Sequence, residues 1–134
     1  MNADKIRLVQ LWITHAEDDL AFARAGLKDG FYNQVCMLCQ QAVEKYLKAC
    51  LVQAKGSIEV KEKIHDLAKL ADFCKSHGFD FREHHVALRT LSEFYIPTRY
   101  PDASFDTFNK EDAEGALSMA EEIIADVKKS IVSG

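Results

Sequence analysis

Four polar side chains at helical spacing form the densest set of chemistry-bearing residues in this chain. Gln41, Glu44, Lys45 and Lys48 fall at i, i+3, i+4 and i+7. That spacing sets an amide, a carboxylate and two ammonium groups on one face of a helix whose other face is core. Glu44 precedes Lys48 by four residues, the better orientation for a helical ion pair. Lys45 and Lys48 could complete a phosphate site, although lysines on a helix are usually solvated and Glu44 blunts their field. His65 and Asp66 offer an acid–base pair, or a helix start with Asp66 at the positive end of the dipole, and the structural role fits better. Arg99 presents a planar fork suited to phosphate, or an ion pair with Asp102 or Glu44 that pins its own segment. Tyr100 could stack on a base or plug the end of a bundle. His84 and His85 are adjacent, so on a helix they point about 100° apart and form no chelate.

Those residues need elements to hold them, and the apolar pattern supplies helices. Val35, Leu38, Cys39, Ala42, Val43, Tyr46 and Cys50 alternate with the polar set above, which predicts a helix from about Tyr32 to Ala54. Before it, Leu8, Leu11, Trp12, His15, Ala16, Leu20, Ala23 and Leu27 predict a helix over Asp4 to Leu27, closed at Asp29-Gly30. The connection is so short that the two must form an antiparallel hairpin. Residues 58–63 read as a charged loop. A shorter helix is expected over His65 to Ser76. A fourth follows to Tyr95, with Asp80 as the cap of a capping box that includes Glu83. Both prolines of the chain, Pro97 and Pro101, lie in the one long aperiodic segment, and a loop of that length is more often functional than filler. The last helix should run from Lys110 to Val132, capped by Asn109, with an alanine-rich inner face. The predicted fold is all-α: an antiparallel bundle of about five helices, with helices 1, 2 and 5 long and 3 and 4 shorter, in one domain spanning residues 1–134.

Composition narrows the function classes. The net charge of −4, with both signs mixed along the 134 residues, argues against broad, nonspecific nucleic-acid binding but leaves room for a small basic pocket. No apolar run is long enough to span a membrane, and the polar N-terminus lacks the pattern of a signal peptide. A cytoplasmic protein is expected. Of the four cysteines, Cys36, Cys39 and Cys50 sit on one helix at apolar positions and Cys74 on another. Neither a disulfide framework nor a zinc site is apparent, so buried, inert thiols are expected, with no metal or other cofactor.

Three stretches together resemble a known family. Gln41-Ala-Val-Glu44-Lys45-Tyr-Leu-Lys48-Ala is similar to the second-helix signature of HEPN domains, a family named for nucleotide binding in higher eukaryotes and prokaryotes. His65-Asp66-Leu67 resembles the start of that family's third helix. Tyr95-Ile-Pro-Thr-Arg99-Tyr100-Pro101-Asp102 resembles the arginine-bearing segment at the end of its fourth. Trp12 and Asp19-Leu20 also agree with the family's first helix. The resemblance implies a helical bundle that usually dimerises, in small prokaryotic proteins often paired with a minimal nucleotidyltransferase as toxin and antitoxin. It implies nucleotide or RNA as ligand.

Many members of that family are metal-independent ribonucleases, with an arginine and a histidine separated by about four to six residues and a composite site shared by two copies. Here the positions after Arg99 hold Ser104, Phe105 and Asp106. No imidazole stands there to move the proton of a 2′-hydroxyl. The expectation is therefore a noncatalytic module that binds through Arg99, Tyr100, Asp102, Gln41, Glu44, Lys45 and Lys48. The alternatives are a divergent ribonuclease using Arg99 with His65, and a purely structural protein-interaction module.

Overall fold

The computed structural model describes residues 3–95 and 107–133. Within them the chain forms α1 (Ala3–Asp29), α2 (Tyr32–Lys55), α3 (Leu67–Lys75), α4 (His85–Ser92) and α5 (Lys110–Ser133), with short 3₁₀ turns at Val60–Glu62 and Arg82–His84. The predicted order of long and short helices holds. Arg99, Tyr100 and Asp102 lie outside the described residues.

The hairpin of α1 and α2 follows from two glycines. Gly30 has φ 81°, the left-handed region that reverses the chain without a Cβ penalty. A Cβ on Gly26 would come to 3.1 Å from Val35 Cγ2, so the helices meet there because Gly26 has no side chain.

α2 is the axis of the bundle. It packs against α1, α3, α4 and α5. Val35, Cys39, Val43, Tyr46, Leu47, Cys50 and Leu51 are all fully buried. The expected division of α2 into a core face and a solvated polar face does not hold, because the helix is covered nearly all round and Gln40, Glu44, Lys48 and Gln53 are buried with the rest.

The inner face of α1 also differs from expectation. Val9, Ala16, Leu20 and Ala23 point inward, while Leu8 and Leu11 are exposed and His15 faces solvent. The helix carries two neighbouring apolar stripes, and spacing alone does not say which one meets the partner helices. α5 lays Ala113, Ala116, Ala120, Ile123, Ile124 and Val127 into the same core. The small side chains on this face permit close approach. Asn109 and Asp112 cap α5 reciprocally, each backbone N–H reaching the other's side chain at 3.0 and 2.8 Å.

Two local expectations are corrected. Asp80 does not form a capping box with Glu83. Its carboxylate is taken by the Arg82 side chain, at 3.0 Å from Nε and 2.7 Å from a terminal guanidinium nitrogen, and by the Arg82 backbone N–H. A bidentate guanidinium outcompetes a distant amide for the same oxygens. The region read as a charged loop contains the Val60–Glu62 turn, where Glu62 is buried and accepts from Lys55 Nζ at 2.5 Å and from the Glu59 backbone at 2.8 Å. Those hydrogen bonds hold the Glu62 carboxyl below its ordinary value although burial alone would raise it.

Candidate functional site

The site is built outward from Glu44. Gln40 and Lys48 stand one helical turn to either side of it on α2, so all three project into the same gap between helices. Glu44 Oε1 accepts from Gln40 Nε2 at 3.1 Å, and Oε2 accepts from Lys48 Nζ at 2.9 Å. The i, i+4 ion pair expected from the sequence is present, but inside the protein. Lys48 also lies 5.8 Å from the centre of the Trp12 ring, so α1 closes this gap with a face that favours a cation.

The third partner of Glu44 comes from the segment before α3. His65 Nδ1 lies 2.8 Å from Glu44 Oε1, and Gln40 Nε2 donates to the His65 backbone carbonyl at 2.9 Å. Both the ring and the backbone of His65 are therefore tied to α2. An ionised carboxylate only accepts, so Nδ1 is the donor, and Nε2 is left as the other ring nitrogen. The ring is about half exposed, at 46%, and stacks on Tyr95 with centroids 3.9 Å apart and planes at 17°.

Tyr95 is brought there by a chain of links. The Ser92 hydroxyl accepts from the Leu67 backbone at 2.9 Å and donates to the Leu88 carbonyl at 2.8 Å, which ties the end of α4 to the start of α3. Phe94 meets Phe108 edge to face at 4.9 Å, and the Phe108 backbone donates to Asn33 Oδ1 at 2.7 Å. The described residues on either side of 96–106 thus meet through the Phe94–Phe108 contact, and Phe94 directly precedes Tyr95 of the His65 stack.

The structure separates the sequence-derived site residues. Glu44, Lys48 and His65 converge, and Gln41 joins them through Gln40, whose Oε1 accepts from Gln41 Nε2 at 2.8 Å. Lys45 does not join them, because it reaches α1 and pairs with Asp19 at 2.5 Å. His65 and Asp66 are not an acid–base pair. Asp66 caps α3 by accepting from the Lys69 N–H at 3.1 Å, while His65 turns to Glu44.

Gln40 carries no signal of its own in the sequence, although it stands one turn before Glu44. In the sequence Tyr95 marks the end of the fourth helix and opens the arginine-bearing segment, with no sign that it stacks on His65. Neither carries a signal until α3 and α4 are placed.

A second polar layer lies where α1, α2 and α5 meet. The Tyr46 hydroxyl donates to Glu17, and Lys128 Nζ contacts the same carboxylate at 2.9 Å. Burial and the neighbouring carboxylate push the Tyr46 hydroxyl far up from its ordinary value, so it acts as a fixed donor. The four cysteines are buried and unpaired. Burial pushes Cys36 and Cys39 up to about 12, in keeping with inert thiols.

These features define an α-helical bundle whose central helix carries a buried carboxylate that holds a half-exposed histidine beside a tyrosine. Comparison with known proteins gives this class its family. The HEPN domain model matches residues 9–130, and the chain belongs to that family. It is similar to TT1696 from Thermus thermophilus, at 30% identity and a TM-score of 0.77, over 90% of this chain and 96% of that one. It is similar to ST0689, an archaeal HEPN homologue, at 28% identity and a TM-score of 0.71, over 92% and 97% of the two chains. Among curated proteins it is 28% identical to "Putative toxin MJ1304" of Methanocaldococcus jannaschii, over 92% of this chain and 88% of the relative. No helix among the described residues is long and apolar enough to cross a membrane.

Proposed function

We propose that this chain is a HEPN module of the toxin–antitoxin type that binds a nucleotide or RNA, as a homodimer, through the His65–Tyr95 stack together with Arg99, Tyr100 and Asp102. The observation that carries this reading is the His65 ring, pinned by a buried carboxylate yet half open to solvent. A stacked imidazole and phenol offer a flat surface to a base, and Arg99 with Tyr100 would supply phosphate contact and further stacking from the adjoining segment. Glu44 and Lys48 act in this reading as positioning residues, since each is already satisfied by the other. Gln41 and Asp102 would help orient the ligand. Lys45, paired with Asp19, is the weakest member of the expected set.

The likeness to a toxin-named relative supports the toxin–antitoxin assignment. A nucleotidyltransferase is the partner implied by the resemblance, and the cytoplasm is the compartment that goes with both. Fluorescence anisotropy with a labelled RNA oligonucleotide and with single nucleotides tests the proposal. His65→Ala and Arg99→Ala should each weaken binding about tenfold, in line with the loss of one stacking or phosphate contact. Equal binding by wild type and both variants would sink it.

A ribonuclease is the second reading, and one observation favours it. His65 Nδ1 is held by Glu44 and Nε2 has no hydrogen-bond partner among the described residues, so this ring would supply the imidazole that the positions after Arg99 lack. Its test is RNA cleavage in the presence of chelator, which should be abolished by His65→Ala and by Arg99→Ala. Binding without cleavage by the wild type would leave the first reading standing alone.

A further inference from the structure

A different cluster, on the side of the bundle where the Arg82–His84 turn faces α5, has donor chemistry that the proposed function does not use. The turn is anchored by Phe81, which is buried, and by the His84 N–H, which donates to the Phe81 carbonyl at 3.0 Å. This directs His84 at α5, where Asp126 stands beside the buried Val127. His84 Nε2 lies 2.8 Å from Asp126 Oδ2 and 3.6 Å from Glu83 Oε1. All three donor atoms lie within 4.8 Å of one another.

One imidazole nitrogen cannot satisfy two carboxylates by hydrogen bonding, because its single N–H is directed at one acceptor. A cation placed among the three atoms can engage all of them. Tetrahedral metal–ligand bonds of about 2.0–2.2 Å put neighbouring donors about 3.3–3.6 Å apart, so His84 and Glu83 already stand at that separation, while His84 and Asp126, now at hydrogen-bond distance, would move apart slightly on binding. The imidazole is largely buried, at 15% exposure, which fixes its ring, while Glu83 is on the open side, where water could complete the coordination. Lys129, the next residue but two along α5, is exposed, so its opposing charge is screened.

We propose that Glu83, His84 and Asp126 form a binding site for a divalent transition-metal ion of the zinc type, with three protein ligands and an open position. Imidazole with two carboxylates suits a borderline metal better than magnesium or calcium, which take oxygen donors throughout. The ion would clamp the start of α4 to α5. The sequence shows His84 beside His85 and Glu83 beside a helix start but not this grouping, because Asp126 is 42 residues beyond His84.

The experiment is calorimetric titration of the full chain with Zn²⁺ alone, with Mg²⁺ as control, alongside thermal unfolding with and without chelator. One equivalent of Zn²⁺ should bind the wild type and raise its unfolding midpoint. Asp126→Asn and His84→Gln should each weaken uptake about tenfold or more. Should either variant lose its helical circular dichroism, the wild-type protein loaded with Co²⁺ gives a second readout. Visible ligand-field bands of a nitrogen–oxygen site are expected, together with broadening of the His84 ring resonances. No uptake by the wild type, which would make this an ion pair only, overturns the proposal. So does uptake unchanged by both variants, or Co²⁺ spectra dominated by thiolate.

Discussion

Two clusters in this molecule pair a histidine with a carboxylate, and they differ in how their hydrogen-bonding capacity balances. Around Glu44 every oxygen has a donor: Gln40 and His65 on one, Lys48 on the other. The buried cation and the buried anion are matched, and the arrangement is closed except at the outer edge of His65. Around His84 the balance is reversed, with two carboxylates facing one ring nitrogen. The first cluster can serve as a scaffold that presents a ring. The second has one carboxylate more than its ring nitrogen can serve, and that one, Glu83, stands open to solvent. A His–carboxylate contact therefore means little until the other groups around it are counted.

The largest effect should come from breaking the balance of the closed cluster. Glu44→Ala would leave Lys48 charged and buried, and chemical denaturation should show a loss of about 3–5 kcal/mol. Replacing both partners, as Glu44→Leu with Lys48→Met, should recover most of that loss. The double variant should still fail to bind RNA, because His65 loses the carboxylate that holds it. Recovery of stability together with full binding would show that Glu44 is needed only to match Lys48.

Next in size is the polar layer of Glu17, Tyr46 and Lys128. Tyr46→Phe removes a hydrogen bond to a charged group and should cost about 1.5–3 kcal/mol. This layer and Glu62 also set an acid limit. Burial alone would raise Glu17, but hydrogen bonds from Tyr46 and Lys128 outweigh it and hold its carboxyl below 4.5, while Lys55 and the Glu59 backbone do the same for Glu62. Depressed carboxylates stabilise the fold above their unfolded value, and that contribution is lost as pH falls through the lowered native values. The unfolding midpoint should therefore hold from neutrality down to about pH 4.5 and drop below it. Glu17→Gln combined with Glu62→Gln should flatten the drop. An unaltered acid profile in that variant would mean that other carboxylates set the limit.

The smallest effect is expected at the surface. Arg24 and Glu121 pair at 3.3 Å with about half of each side chain exposed. Arg24→Ala should change stability by less than about 1 kcal/mol, and less still in high salt. A loss as large as that at Glu44 would mean that burial is not what separates the two.

Much of the scaffold was legible in the residue pattern, and the reasons are local. The 3.6-residue recurrence through α2, Gly30 between α1 and α2, Asp66 at the start of α3 and Asn109 at the start of α5 each act within a turn or two of the chain. The Glu44–Lys48 pair is of the same kind, since four residues along a helix always bring two side chains together. Family membership was also legible, because it rests on the order of short motifs.

Burial and partnership across elements were not legible. Whether Lys48 faced water or Trp12, whether Leu8 and Leu11 faced in or out, and whether His65 turned to Asp66 or to Glu44 depended on where α1, α3 and α4 came to rest. Sequence spacing reports which residues share one helix face, but not what covers that face. The covering of α2, the His65–Tyr95 stack and the convergence of Glu83 and His84 on Asp126 arise only when segments distant in the chain pack into one core. There a side chain is placed by the bulk and charge of neighbours that have no fixed offset from it.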